Sequence, residues 1–184
     1  QDFAKRLLDS SEKVYFKEEA FEREHSLEVE IPFLQETFKG FKIVPIVMGQ
    51  PDIQTLEEFA STLKSVIGDR EDVLIVVSTD LSHYHHDRVA RTMDKRTIKA
   101  IEDLDVVSLI KGQQNNEMEM CGFIPVLTSM LYAKEKGLSK IEMLEYANSG
   151  DVSGEKDRVV GYTAIAMYHT KENPKDGGVS ELNM

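Results

Sequence analysis

The sequence predicts an α/β fold, a mostly parallel or mixed central sheet flanked by helices, on three observations. Two short apolar runs rich in β-branched residues, 42–48 (KIVPIVM) and 72–78 (DVLIVVS), have the unbroken apolar character of strands buried on both faces. Between them Leu56, Phe59, Ala60, Leu63, Val66 and Ile67 recur at helical spacing, and Gly68 closes the stripe. Strand, amphipathic helix and strand in that order make a βαβ unit, in which functional groups gather at the carboxyl ends of the strands.

The remaining elements follow in order. Residues 2–8 read as a helix, as do 24–38, 87–101, 106–111 and 121–136, the last stopped by Gly137 as a C-cap glycine. Residues 141–146 and 159–168 read as two further strands, joined by a polar loop over 151–157. One domain is expected over residues 1–169. Residues 170–184, polar and carrying Pro174, Gly177 and Gly178, read as a tail or linker. The chain opens on Gln1 and enters a helix with no strand before it, so a domain lacking its N-terminal portion is expected.

Bulk properties narrow the function. With 184 residues, 41% apolar and 30% charged, the chain can bury a sizeable core. No run approaches the roughly 18 apolar residues of a membrane span, and no apolar signal segment opens the chain, so a cytoplasmic protein without a membrane partner is expected. A net charge of −11 with no Lys/Arg cluster argues against nucleic acid as a partner. The single cysteine, Cys121, leaves its thiol free for packing, metal binding or redox chemistry.

Four constellations could carry chemistry. In Ser78-Thr79-Asp80-Leu81-Ser82-His83-Tyr84 an apolar run passes directly into hydroxyl, carboxylate and imidazole groups. Asp80 can fix the tautomer of His83 and free the other ring nitrogen for a proton or a metal; the plainer reading is a helix cap beside an exposed histidine. His85 and His86 read as solvated loop residues. In Glu24-His25-Ser26-Leu27-Glu28-Val29-Glu30-Ile31-Pro32-Phe33-Leu34, read as a helix, His25 and Glu28 share a face, with Pro32 kinking it or sitting where no donor is needed.

In Met118-Glu119-Met120-Cys121-Gly122-Phe123-Ile124-Pro125, Cys121 stands at the start of a helix, whose N-terminus stabilises anions and so favours a thiolate. A free cysteine is also a small core residue. Tyr146-Ala147-Asn148-Ser149-Gly150-Asp151 reads as a strand end entering a turn. A serine hydrolase triad of Ser78 or Ser82 with His83 and Asp80 has the residue types but no Gly-x-Ser-x-Gly elbow, and neither a Walker A loop nor Gly-x-Gly-x-x-Gly occurs.

Taken with Val159-Val160-Gly161-Tyr162, these segments resemble, in order and over nearly all of residues 2–168, the Memo-like family, also called AmmeMemoRadiSam system protein B. The resemblance implies a fold like that of the class III extradiol dioxygenases and a pocket able to hold iron or copper. It matches Cys121 to the family's cysteine ligand and His83 to the pocket histidine that corresponds to the dioxygenases' catalytic base. It also puts Asp80 and His25 on the pocket side. The family's two other histidine ligands belong to segments before Glu24-His25-Ser26 that do not occur here, so an incomplete metal site is expected.

Three functions follow from the resemblance: a metal-dependent oxidoreductase of unknown substrate, a non-enzymatic module binding a peptide or protein in the same pocket, and an extradiol-type dioxygenase. The expected partners are a small molecule or peptide in the pocket and, from the family name, a radical-SAM pathway protein. Strict ring cleavage uses two histidines and a carboxylate, and the family has cysteine in place of that carboxylate. Phosphopeptide binding would need an Arg cluster that the motifs lack.

Overall fold

A computed structural model describes residues 2–170. The fold is α/β, with helices α1 (Asp2–Ser10), α2 (Ile31–Thr37) and α3 (Ile53–Ile67), then strand β1 (His83–His85), α4 (Asp87–Glu102), α5 (Val106–Gln114), α6 (Phe123–Lys136), β2 (Lys140–Asn148), α7 (Ser149–Ser153) and β3 (Val159–Tyr168). The three strands form an antiparallel sheet in the order β1-β3-β2. β2 and β3 pair from Lys140 opposite Tyr168 to Asn148 opposite Gly161. The tail read at 170–184 lies outside the described residues beyond Thr170.

Local chemistry explains most helix limits. Asp52 caps α3 by accepting from the Thr55 N–H at 2.8 Å, and Asp105 caps α5 through Ser108 N–H at 3.0 Å. Gly137 ends α6 in the left-handed region at φ 71°, as its position after the apolar stripe foretold. Pro32 falls in the first turn of α2, where its missing N–H has no intrahelical acceptor to satisfy. The helix read over 24–38 is therefore confined to Ile31–Thr37, and the residues before it form turns.

Two apolar clusters hold the helices together. Leu56, Ala100, Ile101, Leu109, Met120, Val126, Leu127 and Met130 form the larger, between α3, α4, α5 and α6. Leu7, Leu63, Val66 and Ile67 form the smaller, where α1 meets α3. Full burial of each leucine, isoleucine, valine or methionine among them contributes about 1.5–3 kcal/mol.

The mostly parallel sheet is not observed. Neither 42–48 nor 72–78 enters a ladder among the described residues. Val73 and Val77 pack on the two clusters, and so does Met48. Leu74, at 65% exposure, Ile75, Val76, Ile43, Val44, Ile46 and Val47 lie at the surface. Adjacent residues on both alternating faces of each run are thus exposed, and only Met48, Val73, Val77 and Ser78 are partly covered. A strand exists as such only when a neighbour supplies donors and acceptors to its backbone, and the described residues supply none to these two runs.

A polar network ties α7 to the N-terminus of α4. Asp151 accepts from the Asn148 N–H at 2.9 Å, and Lys156 Nζ lies 2.9 Å from its Oδ1, which Arg91 also contacts. Asp87 accepts from Asn148 Nδ2 at 2.8 Å and from Arg91 Nε at 3.0 Å. The Asn148 N–H, with Lys156 and Arg91 beside it, holds the Asp151 carboxyl down at about 2, against an ordinary 3.8.

A carboxylate depressed in this way adds stability that is complete above its ordinary range and is lost as pH falls through its folded value. The stability gap between the native chain and Asp151→Asn, measured by urea unfolding, is therefore expected to be full at neutral pH and to close between about pH 4 and pH 2. A gap of constant size over that range would show that the charge of Asp151 is not what stabilises the turn.

Candidate metal centre

The second apolar run ends in a turn that delivers Asp80 and His83, and the segment between α5 and α6 docks against it. Gly122 N–H donates to Thr79 Oγ1 at 2.8 Å, and Cys121 N–H to the Asp80 carbonyl at 3.3 Å. A Cβ on Gly122 would come within 2.6 Å of Thr79 Cβ and 2.7 Å of the Ser78 carbonyl. Only glycine permits this approach, which explains the Cys-Gly pair before α6.

One consequence is a cluster of three metal-competent donors. A carboxylate oxygen of Asp80, a ring nitrogen of His83 and Sγ of Cys121 all lie within 4.8 Å of one another. Asp80 N–H donates to Cys121 Sγ at 3.1 Å, and Thr79 Oγ1 lies 3.7 Å from the same sulfur. Cys121 is exposed, Asp80 and His83 partly so. His83 Nε2 stands 3.8 Å from Asp80 Oδ2, too far for a hydrogen bond but suitable for two donors that face a common centre. Nδ1 faces Glu119 Oε1 at 3.5 Å.

The turn itself is anchored from beneath. Leu81 N–H donates to the Gly161 carbonyl at 2.9 Å, and Gly161 N–H to the Ser82 carbonyl at 3.0 Å, which joins the turn to β3. Ser82 N–H donates to Oδ1 of the fully buried Asp94 at 3.0 Å, while Tyr146 Oη donates to Oδ2 at 2.7 Å. Burial first, and then the bond to Asp94, raises the Tyr146 hydroxyl above its usual range. Tyr162, from the last motif, borders the site: burial and the nearby Asp80 charge raise its hydroxyl too.

Asp80, His83 and Cys121 thus come together. His25 does not join them: it sits in the turns before α2 with its side chain 78% exposed and pairs with Glu28 at 2.8 Å. The helical face expected to carry it is absent there. The Ser82 hydroxyl is buried with no hydrogen-bond partner, and His83 faces two carboxylates, so the described residues contain no Ser-His relay at this turn. A shallow groove lined by Ile31, Phe38, Phe41 and Ile43 includes none of the three donors.

Two residues were not credited by the sequence reading. His85, taken for a solvated loop residue, donates to or accepts from Glu119 Oε2 across 2.7 Å, and Glu119 lies between it and His83. His83 pairs with Val160 and His85 with Val159, which puts a bulge at Tyr84, so strand alternation offered no signal for their shared partner. Tyr84 between them takes φ 61°, unusual for a side chain of this size, and Arg158 lies over its ring at 4.9 Å.

Fold and site together define an α/β protein with a thiol, imidazole and carboxylate donor set where an apolar run meets a helix N-terminus. The family profile described as Memo-like protein matches residues 1–166. The chain belongs to this Memo-like family. It is 37% identical over 150 residues to a MEMO1 family protein of Caldivirga maquilingensis, covering 81% of this chain and 53% of the relative. Over 146 residues it is 40% identical to one of Methanosarcina acetivorans, covering 78% and 55%, and over 166 residues 35% identical to one of Methanobrevibacter smithii, covering 89% and 58%. The chain spans about half the length of the curated relatives it matches. No helix among the described residues is long and apolar enough to cross a membrane.

Proposed function

We propose that Asp80, His83 and Cys121 are ligands of a redox-active transition metal, iron or copper, in a dioxygenase-like pocket. The observation that carries this reading is the mutual approach of three chemically different donors to within 4.8 Å. Thiolate and imidazole together favour iron or copper over magnesium or calcium, which prefer oxygen ligands alone. The Asp80 N–H on Sγ stabilises negative charge on the sulfur, and the exposure of Cys121 leaves room for further ligands or a substrate.

The bound metal would supply one-electron chemistry and an electrophilic centre for a small molecule. The chain's own contribution is to hold three donors on two segments locked together by the Thr79–Gly122 and Asp80–Cys121 bonds. Three donors leave coordination positions for ligands from outside this set. Ordinary ring cleavage is disfavoured within this reading, because the resemblance puts a cysteine where extradiol sites carry the carboxylate of their two-histidine, one-carboxylate set.

Anaerobic titration with Fe(II) and with Cu(I), followed by metal analysis after gel filtration, tests the proposal. The native chain is expected to retain one equivalent of metal. Cys121→Ala should weaken retention by more than the 10- to 100-fold that loss of an outer-sphere partner typically costs, so by over about 100-fold. Equal retention by both would remove Cys121 from the site.

A further inference from the structure

We infer that Glu119 is a positioning residue that orients His83, and that His85 in turn holds Glu119. The inference rests on the metal-centre reading in one respect: the ring being oriented is the one assigned there as a ligand. Its warrant is geometric. An ionised carboxylate accepts hydrogen bonds and donates none. Glu119 presents Oε1 to Nδ1 of His83 at 3.5 Å and Oε2 to Nε2 of His85 at 2.7 Å. The His85 ring therefore donates to it, while the Glu119 charge beside Nδ1 of His83, an ion-pair contact outside hydrogen-bond geometry, favours a proton on that nitrogen. For His83 this places the proton on Nδ1 and leaves Nε2, on the Asp80 side, with its lone pair free.

The chain is built to hold this arrangement. Met120 is buried in the larger apolar cluster, at 4% exposure. With Met120 anchored inward, its neighbours Glu119 and Cys121 both reach the strand-end turn, one towards His83 and His85 and the other towards Asp80 and Thr79. Ligand and positioning group thus arrive on one short segment. On the opposite side, β1 carries His83 and His85 in one three-residue strand pinned to β3, with His83 opposite Val160 and His85 opposite Val159. Ligand histidines generally give their second ring N–H to a carboxylate or carbonyl, which fixes the tautomer and raises ligand basicity. Glu119 is the group placed to do this for His83.

Long-range proton–nitrogen correlation spectra of the metal-free 15N-labelled chain, recorded near pH 8.5, where unperturbed imidazoles are neutral, read the tautomer directly. His83 is identified by the signals lost in His83→Gln. In the native chain, His83 is expected as the Nδ1–H tautomer. In Glu119→Ala the proton should move to Nε2, the tautomer a free imidazole prefers. Glu119→Gln, which keeps the shape and loses the charge, should show the same move, whereas a merely structural role for Glu119 would leave its tautomer native. A native His83 protonated on Nε2, or a folded Glu119→Ala with the native tautomer, would overturn the inference; the native spectrum alone suffices if the alanine variant does not fold.

Metal titration of the same samples separates the two readings. Glu119→Ala is expected to weaken iron or copper binding by about 10- to 100-fold. A native chain that shows the Nδ1–H tautomer and its loss in Glu119→Ala, yet binds neither metal, overturns the metal-centre reading while supporting the role of Glu119.

Discussion

Gly161→Ala is expected to destabilise the chain by about 3–5 kcal/mol, the sum of overpacking and of a displaced charge-assisted bond. A Cβ on Gly161 would lie 2.0 Å from Asp94 Oδ2, 2.7 Å from its Cγ and 3.1 Å from Oδ1. No rotation of a methyl group relieves such an overlap, so either β3 or the carboxylate must move. Asp94 is fully buried on α4 and accepts from both Ser82 N–H and Tyr146 Oη. Moving it breaks at least one of those bonds, and moving β3 breaks the paired bonds between Gly161 and the Leu81–Ser82 turn. Urea unfolding gives the value; a loss below about 0.5 kcal/mol, the range of an ordinary surface change, would overturn the role of this close approach in stability.

Asp94→Ala is the complementary case, with an expected loss of about 2–5 kcal/mol from one buried and one half-buried donor left without an acceptor. Ser82 N–H would lose the bond that fixes the turn leading to His83, and Tyr146 Oη the bond that keeps its half-buried hydroxyl satisfied. Asp94→Asn should cost less, since the amide oxygen can still serve one of them. The double variant decides the mechanism. With the carboxylate gone, the alanine methyl at position 161 gains space, so the pair is expected to lose less than the sum of the single losses, by about 0.5–3 kcal/mol. Strict additivity would indicate that the two residues destabilise by unrelated routes.

These buried contacts show where the sequence was legible. The amphipathic helices were readable because their stripes and stop signals are local: Gly68 and Gly137 close α3 and α6 where the spacing of apolar residues ends. The strand at Val159–Tyr168 was read with its observed limits, and its partner at Lys140–Asn148 within two residues. The parallel strands at 42–48 and 72–78 were misread as formed elements, because apolar composition states a preference for burial and does not supply the neighbouring backbone that a ladder requires. The helix over 24–30 is not formed either: those residues make turns, and Pro32 fits a helix start at Ile31.

The strand-end turn was readable as a concentration of chemical groups, and the resemblance singled out Cys121, His83 and Asp80 together. Pattern alone could not join Cys121 to Asp80, some forty residues apart, since that depends on Gly122 fitting against Thr79. Nor could it find Glu119, whose significance comes from the two histidines that a bulged β1 brings to either side of it.

The sequence by itself determined the α/β class, the helices with local start and stop signals, and the donor types available for a metal, because propensity, capping and side-chain chemistry are carried by a few neighbouring residues. Only the tertiary structure decided that the sheet is antiparallel, that His25 stands apart, and that Glu119 faces His83. Those outcomes depend on which distant backbones find partners and on how closely two chains can approach where a glycine leaves room, and neither is encoded in any short stretch of the chain.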